Sequence, residues 1–242
     1  MKLLAILALS ACSDPTAKPD AAIDAPKVID AKAADAGMCG TDTLFIGEHL
    51  DWDSTDATFC GVFNAVWKVR GSTDPKQTHT TPPNGRLVMC VPSVPSTAID
   101  VTVPAGNSPC LGMTSGYTIN GIAHVEPAVL ATLPATEVFR ARSFTTARQA
   151  TFYSLIGATY DPGKGGLLVH VAGTPKATSI DVAHATTMAY DGTTWAVGAT
   201  GADVYFPNVA IGTAVITVVG VTGVQMVPIA ANTITYATFY SP

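Results

Sequence analysis

The chain has 242 residues, of which 48% are hydrophobic and only 13% charged, with a formal net charge of −5. This length is enough for one large or two small domains. The balance is slightly acidic and no basic residues are clustered, which argues against a nucleic-acid partner. Because charged residues are scarce, the surface must consist largely of Thr, Ser, Asn and Gly.

The first residues are typical of an export signal. Lys2 supplies a positive start, and Leu3–Leu9 is an apolar run too short to span a bilayer but suited to the core of a signal peptide. Leu9–Cys12 then resembles the lipobox of bacterial lipoproteins, whose cysteine is diacylated and becomes the mature N-terminus. The resemblance implies a signal peptide at residues 1–11, lipidation of Cys12 and a membrane partner held through the acyl chains. An ordinary secretory signal is the alternative.

Residues 12–38 follow as a predicted disordered tether. Ala, Asp, Pro and Lys dominate, and aromatic residues are absent. Such a segment cannot bury enough apolar surface to offset the cost of ordering, and its prolines interrupt an Ala-rich helix. It resembles the Asp-Ala tethers of myxobacterial surface lipoproteins. Ser13 stands where many lipoproteins carry an aspartate for inner-membrane retention. Analogy therefore favours the outer membrane or cell surface, with the periplasmic face not excluded.

From Cys39 onward, short runs of alternating hydrophobicity predict β-strands. The candidates are Thr43–Ile46, Phe59–Arg70, Arg86–Val91 and Ala98–Val103. Apolar and polar side chains alternate along them, as in strands with one buried face. Thr80–Gly85 provides a turn, and Pro92 ends the strand that follows it.

This order of elements resembles the carboxypeptidase regulatory-like, or transthyretin-like, β-sandwich family. The family's motifs are a GVxxAxVxV strand, a TTxxNGR turn and a strand ending in VP. Here they correspond to Gly61–Val69, Thr80–Arg86 and Val91–Pro92. The chain departs from the family pattern at two places. Pro82–Pro83 stands where Asp-Ala is commoner, and position 90 is a cysteine. The resemblance implies a prealbumin-like or Ig-like sandwich.

With Cys12 assigned to lipid, four cysteines remain, an even number that fits disulfides in an oxidising compartment. They are Cys39, Cys60, Cys90 and Cys110. Three pairings are open, and buried free thiols are the alternative. If Leu87, Met89 and Val91 face the core, strand alternation turns Cys90 outward, and Cys60 likewise. A cysteine on the outer face of a strand more naturally forms a disulfide with a loop that crosses that face. This favours the disulfides Cys39–Cys60 and Cys90–Cys110.

The second half repeats the pattern. Residues 167–173, 200–207 and 211–219 match the strand, turn and strand of the first half. We therefore predict an all-β fold with tandem sandwiches at 39–142 and 158–242. The connector 143–157 includes a short helix from Thr146 to Ile156, capped by Thr145. One large sandwich is the alternative.

The charge-free stretch Val209–Ala231 could be mistaken for a membrane span. Glycines and Pro228 interrupt it, and most of Thr213–Val219 is β-branched. A hairpin turning at Gly220–Gly223 fits this composition better.

Motifs for catalysis or metal binding are weak. Asp51–Asp56 lacks the glycine and distal glutamate of an EF-hand, and the histidines stand singly. No cofactor or metal site is predicted. Residues His49–Asp56 remain the best location for a rival function, an envelope hydrolase or metal-dependent enzyme.

Aromatic residues give the strongest indication of binding. Trp52 and Trp195, with Tyr190 and Tyr205, could form a sugar-stacking platform beside the loop that begins at Asp191. Core packing or hairpin decoration is the favoured interpretation of these rings, and a binding platform is the alternative. The sequence thus favours a non-enzymatic surface lipoprotein that binds a glycan or an envelope protein, or that serves as a structural spacer. Much of this rests on analogy of fold, which does not fix function.

Overall fold

The computed structural model describes residues 37–55, 57–104 and 116–242. Cys12, Cys110 and all but the last two residues of the tether lie outside these ranges. In the described part, far more residues belong to β-strands than to helices, as the alternating hydrophobic pattern predicts. The all-β fold class is confirmed. None of the helices in these ranges is long and apolar enough to cross a membrane.

Each strand in the described part of the chain has at most nine residues. The strands are β1 (Thr43–Asp51), β2 (Val66–Val69), β3 (Thr78–Thr80), β4 (Arg86–Val91), β5 (Thr97–Thr102), β6 (Asn120–Val125), β7 (Phe139–Ser143), β8 (Gly165–Gly173), β9 (Lys176–Ile180), β10 (Met188–Tyr190), β11 (Trp195–Val197), β12 (Thr200–Gly201), β13 (Asp203–Val209), β14 (Gly212–Val218), β15 (Gln225–Ile229) and β16 (Thr233–Ser241). The helices are α1 (Pro127–Thr132) and α2 (Thr146–Leu155), with a 3-10 turn at Pro75–Gln77.

These strands form three sheets within the described ranges. The small sheet has the order β4-β1-β7, and the outer sheet has the order β12-β9-β14-β15. The long sheet runs β11-β10-β13-β8-β16-β6-β5-β2-β3. Strand β16 lies between β8 and β6 and is parallel to both. The two predicted sandwiches therefore share one sheet, joined by the strand nearest the C-terminus.

The side chains of β16 point alternately into two separate hydrophobic cores. Ile234 and Tyr236 pack into a core with the small sheet, whereas Ala237 and Phe239 pack into a second core with the outer sheet. Strand β8 divides in the same way, with Leu168 on the first side and Val169 on the second. The centre of the long sheet is thus covered on both faces, which explains the near-continuous burial of β8 and β16.

The predicted connector contains the helix. Thr145 caps α2 by accepting a hydrogen bond from the backbone N–H of Arg148, and Gly157 follows the helix with a φ of +64°. The helix ends at Leu155, one residue before the predicted end. The hairpin in the charge-free stretch is also present as β14 and β15, which pair from Gly212↔Ile229 to Ile216↔Gln225.

The expected disulfide pairing is wrong. Cys39 bonds to Cys90, with 5.4 Å between their Cα atoms, and Cys60 is disulfide-bonded as well. Leu87, Met89 and Val91 face the core as expected, but Cys90 is fully buried as well. The outer side of β4 is therefore not open to solvent at this position. Cys39, itself buried, lies there and forms the disulfide.

Gly61 and Gly85, from the two motifs of the family resemblance, meet at a close backbone crossing. A Cβ on Gly61 would collide with the Asn84 and Gly85 backbone, and one on Gly85 with the His49 carbonyl. Gly85 also has a φ of +67°, which favours glycine. The crossing is held by hydrogen bonds from the His49 N–H to the Gly85 carbonyl and from the Val62 N–H to the His49 carbonyl, both 2.8 Å. It explains why the predicted strand Phe59–Arg70 is regular only over Val66–Val69.

Candidate functional site

Three aromatic rings form a stacked column that ends at the protein surface. Trp52, just after β1, stacks on Phe144, just after β7, with ring centroids 3.5 Å apart. On its other side Trp52 stacks on Trp195 of β11, with centroids 4.3 Å apart and planes inclined by 15°. Phe144 and Trp52 are buried, whereas Trp195 is only partly buried. The structure thus brings together the two tryptophans singled out in the sequence; their role in binding stays a prediction.

A cleft of about 250 Å³ opens at this end of the column. Its walls come from the β1 end, from α2 and from the β10–β11 hairpin. The residues lining it are Trp52, Asp53, Thr55, Arg148, Leu155, Tyr190, Thr193, Thr194 and Trp195. Aromatic faces, hydroxyl groups and one ion pair therefore surround a single small volume.

The ion pair joins two walls of the cleft. Arg148 Nε donates to Asp53 Oδ1 across 2.7 Å, and both side chains are about one-fifth exposed. Asp53 is held in turn by its backbone N–H, which donates to Asp51 Oδ1 at 3.0 Å. Arg148 projects from the first turn of α2, so the Thr145 cap also fixes its position. Sequence reasoning missed this pair because its partners are 95 positions apart in the chain, and Asp53 was considered only within the Asp51–Asp56 stretch.

Asp191 shapes the loop of the cleft wall and does not line the cavity. Its Oδ1 accepts hydrogen bonds of 2.8 Å from the N–H groups of Thr193 and Thr194 and from the Thr193 hydroxyl. These bonds, led by those from the Thr194 and Thr193 backbone, lower the pKa of Asp191 to about 2. The carboxylate is thus charged at neutral pH and already engaged within its own loop.

A group of buried ionic residues contacts the walls of the cleft. Arg142 Nε donates to Asp203 Oδ2 at 2.7 Å, and His170 Nδ1 donates to Asp203 Oδ1 at 2.6 Å. Burial alone would raise the pKa of Asp203, but Arg142 and His170 outweigh it and hold that pKa well below its usual range. Arg142 also donates to the Ser54 carbonyl at 2.8 Å, and its guanidinium lies 4.4 Å from the ring centre of Tyr190. This one cation therefore connects two walls of the cleft.

Tyr205, the remaining aromatic candidate, belongs to the core. It is fully buried, its ring packs edge-on against Trp52 with centroids 4.9 Å apart, and its hydroxyl lies 3.3 Å from that of Tyr153. Its position supports the column from inside and gives it no access to the cleft.

His49, the centre of the rival enzyme hypothesis, is also enclosed. Trp67 Nε1 donates to His49 Nδ1 at 3.3 Å, so the neutral imidazole carries its proton on Nε2 and donates to Ser143 Oγ at 2.7 Å. Burial lowers the pKa of His49 to about 3. Asp51 accepts from the Tyr117 hydroxyl at 2.7 Å, and Asp56 lies outside the described residues. His49 and Asp51 are buried and line no part of the cleft.

Metal ligands are not gathered anywhere in the part of the chain that the structure describes, since no group of three or more His, Cys, Asp and Glu residues there could hold an ion.

Comparisons with known proteins give no family. No protein-family profile matches the chain, and no curated protein matches it. Among solved structures, the chain is similar to the Bacillus anthracis TIE protein, with 10% identity and a TM-score of 0.26 over 82% of this chain and 33% of the other. The chain thus spans about a third of that protein's length.

Two further similar structures are pilins. The shaft pilin SpaA from Lactobacillus rhamnosus GG has 11% identity and a TM-score of 0.29, over 84% of this chain and 99% of the pilin. The minor pilin of Streptococcus agalactiae has 9% identity and a TM-score of 0.23, over 83% and 96% respectively. At these scores the comparisons assign neither a family nor a function.

Proposed function

We propose that this chain is a non-enzymatic cell-envelope lipoprotein whose β-sandwich scaffold binds an extracellular glycan or protein at the Trp52–Trp195 cleft. The single observation that carries the proposal is the column Phe144–Trp52–Trp195, because its last ring lines a cleft bordered by hydroxyl groups and an ion pair. A stacked aromatic ring with polar neighbours suits recognition of a ligand that has both an apolar face and hydrogen-bonding groups.

The rigidity of the site also supports a binding role. Trp195 is fixed by stacking on Trp52 and by a hydrogen bond from its Nε1 to the Trp52 carbonyl at 3.3 Å. Tyr190 donates to the carbonyls of Gly192 and Ser54 at 2.8 and 3.2 Å. A wall that is already ordered loses little conformational entropy when a ligand arrives, which favours affinity.

The location we propose is the outer membrane or cell surface, with the folded part carried on the tether 12–38 and anchored through acylated Cys12. The support is the apolar run Leu3–Leu9 followed by the lipobox-like Leu9–Cys12. Because each buried methylene contributes about 0.8 kcal/mol, two or more acyl chains would make the attachment stable.

Binding to isolated Gram-negative envelopes tests the cleft. With the proposed anchor removed by Cys12→Ser, the full chain should still sediment with the envelopes, and adding Trp195→Ala should reduce the bound fraction about tenfold because it removes the last ring of the column. Phe63→Ala is the matched control, since Phe63 is 42% exposed and does not line the cleft. Treating the envelopes with periodate, which oxidises sugars, or with protease, which cleaves proteins, distinguishes a glycan partner from a protein partner. Equal sedimentation of Trp195→Ala and Phe63→Ala would show that the cleft is not the binding site.

Detergent partitioning tests the anchor. Expressed in a Gram-negative host, the natural chain should enter the detergent phase, and Cys12→Ser should remain in the aqueous phase. Cys110→Ser serves as the control for loss of a cysteine elsewhere. If Cys12→Ser partitions like the natural chain, the lipid anchor is refuted.

A further inference from the structure

We infer that the cleft takes a neutral pyranose sugar, whose ring stacks on Trp195 and whose adjacent hydroxyls bind the Asp53–Arg148 pair. This inference deepens the proposed function and rests on it. It also adds Asp53 and Arg148 to the tryptophans as residues that determine specificity.

Stacking is the first element of the inference. A pyranose ring presents C–H groups on one face, and an indole ring offers a flat electron-rich surface of similar extent. Trp195 is the terminal ring of the column, held in place by Trp52 beneath it. Tyr190, inclined by 37° to Trp195 with centroids 5.3 Å apart, gives the cleft a second aromatic surface.

The ion pair supplies the hydrogen bonds. Arg148 uses its Nε on Asp53, and no hydrogen bond from its two terminal nitrogens is found among the described residues. Asp53 Oδ2 likewise accepts no hydrogen bond within the described ranges. Guanidinium nitrogens donate and the carboxylate oxygen accepts, side by side in one cleft. Two adjacent hydroxyls of a sugar, each both a donor and an acceptor, match this arrangement.

Charge argues against an acidic ligand. The positive charge of Arg148 is balanced by Asp53 at 2.7 Å, so the pair carries no net charge. Asp191, in the loop that forms the wall, is a carboxylate and is negatively charged at neutral pH, and the hydrogen bonds of its loop lower its pKa further, to about 2. A ligand carboxylate would meet a neutral-to-negative surface, which disfavours it.

Size limits the ligand further. The cleft measures about 250 Å³, below the roughly 300–1,000 Å³ of sites that enclose drug-sized ligands. It fits one ring of a saccharide, with neighbouring units lying in solvent past the exposed Leu155 at the rim.

The test uses the full chain in a zwitterionic, sugar-free detergent and measures dissociation constants by saturation-transfer NMR and tryptophan fluorescence. The probes are the methyl glycosides of glucose, galactose, mannose and N-acetylglucosamine, methyl glucuronide, and a proline-rich peptide. At least one neutral glycoside should bind, and methyl glucuronide should bind about tenfold more weakly than the glucoside.

Four variants identify the residues responsible. Trp195→Ala should weaken neutral glycoside binding about tenfold, whereas Trp195→Phe, which keeps a flat ring, should stay within about threefold of the natural chain. Arg148→Ala should also weaken binding about tenfold. Arg70→Ala is its matched control, because Arg70 forms an equally short ion pair with Asp100 away from the cleft, and it should bind normally. Circular dichroism of each variant verifies that it is folded.

Each contrary result has a distinct meaning. Trp195-dependent binding of the glucuronide or of the peptide, without binding of neutral glycosides, would overturn this inference and leave the proposed function standing. Neutral glycoside binding unaffected by Arg148→Ala would overturn the assignment of the ion pair. Failure of every probe, together with envelope binding insensitive to Trp195→Ala, would overturn both the inference and the proposed function.

Discussion

His49 shows how one buried side chain makes stability depend on pH. Its imidazole is fully buried, bonded to Trp67 and Ser143, and its pKa is lowered from 6.5 to about 3 by burial. In the unfolded chain it binds a proton near pH 6.5, whereas in the folded protein it stays neutral down to about pH 3. The contribution of neutral His49 to the free energy of unfolding is therefore fully present above pH 6.5, and it is lost as the pH falls towards 3.

We predict that His49 makes the free energy of unfolding fall by about 1.4 kcal/mol per pH unit between pH 6 and pH 4. Urea unfolding at several pH values, comparing the natural chain with His49→Gln, measures this contribution as a difference in slope. His49→Gln should be less stable at pH 7, because it loses packing and hydrogen bonds, but should vary less with pH. His184→Gln, which removes an exposed imidazole, is the control. Parallel curves for the natural chain and His49→Gln would contradict the prediction.

Asp203 is the residue on which the buried cation depends. Asp203→Asn should destabilise the protein by about 3–5 kcal/mol, because it leaves the buried charge of Arg142 without its partner. Asp100→Asn, which breaks an exposed ion pair with Arg70, should cost no more than about 1 kcal/mol. Chemical denaturation of both variants makes the comparison. Similar losses for the two would mean that burial does not distinguish these pairs.

At the scale of secondary structure, the Cys39–Cys90 bond fastens the segment before β1 to strand β4. Replacing both cysteines with serine should reduce the free energy of unfolding by about 2–4 kcal/mol, because the unfolded chain regains the freedom of a long loop. Thermal unfolding under non-reducing conditions measures the loss. The natural chain treated with a reductant should melt at or below the temperature of the double variant, because the reductant also cleaves the disulfide of Cys60. An unchanged melting temperature for the double variant would refute the expectation.

Local elements were predictable where local chemistry decides them. Strand β4 has the predicted bounds, the α2 cap is Thr145, and the turn between β14 and β15 includes Gly220 and Gly223. Alternation shows which face of a strand is buried, but not which strand lies beside it. The parallel pairing of β16 with β6 and β8, and the partner of Cys39, depend on contacts distant in sequence and were therefore not predictable.

The candidate site was predictable in part for the same reason. The sequence singles out Trp52 and Trp195 as aromatic residues that could form a binding platform, and both line the cleft. The stack between them joins residues 143 positions apart, and the Asp53–Arg148 bond joins residues 95 positions apart. The amino-acid composition indicates neither of these two contacts. Asp191 illustrates the opposite error, because a carboxylate in a loop indicates a ligand contact as readily as the internal turn that it forms here.

At the scale of the whole molecule, the shared sheet bears on the predicted division at residues 143–157. Tyr236 of β16 packs against Trp67 and His49, with ring centroids 6.3 and 6.0 Å away. It also covers Gly121, where a Cβ would collide with the Tyr236 ring. The core of the first half is thus completed by a residue from the second half.

We therefore predict that residues 39–142 do not fold alone and that co-expression with 143–242 restores folding. Strand β6 would otherwise lose its β16 neighbour and expose an unpaired edge. Dispersion of amide signals in NMR spectra distinguishes the two results. A well-dispersed spectrum from 39–142 alone would show instead that the first sandwich is an independent domain.

The position of β16 also orders events as the polypeptide leaves the ribosome. Strands β6 and β8 are synthesised before β16, yet β16 is the strand that must lie between them. The central sheet stays incomplete until that segment is free, so a nascent chain of this topology remains loose while most of its length is made. Export as we propose it requires an unfolded polymer in the translocation channel, and this late closure of the sheet would keep the chain unfolded until it has crossed.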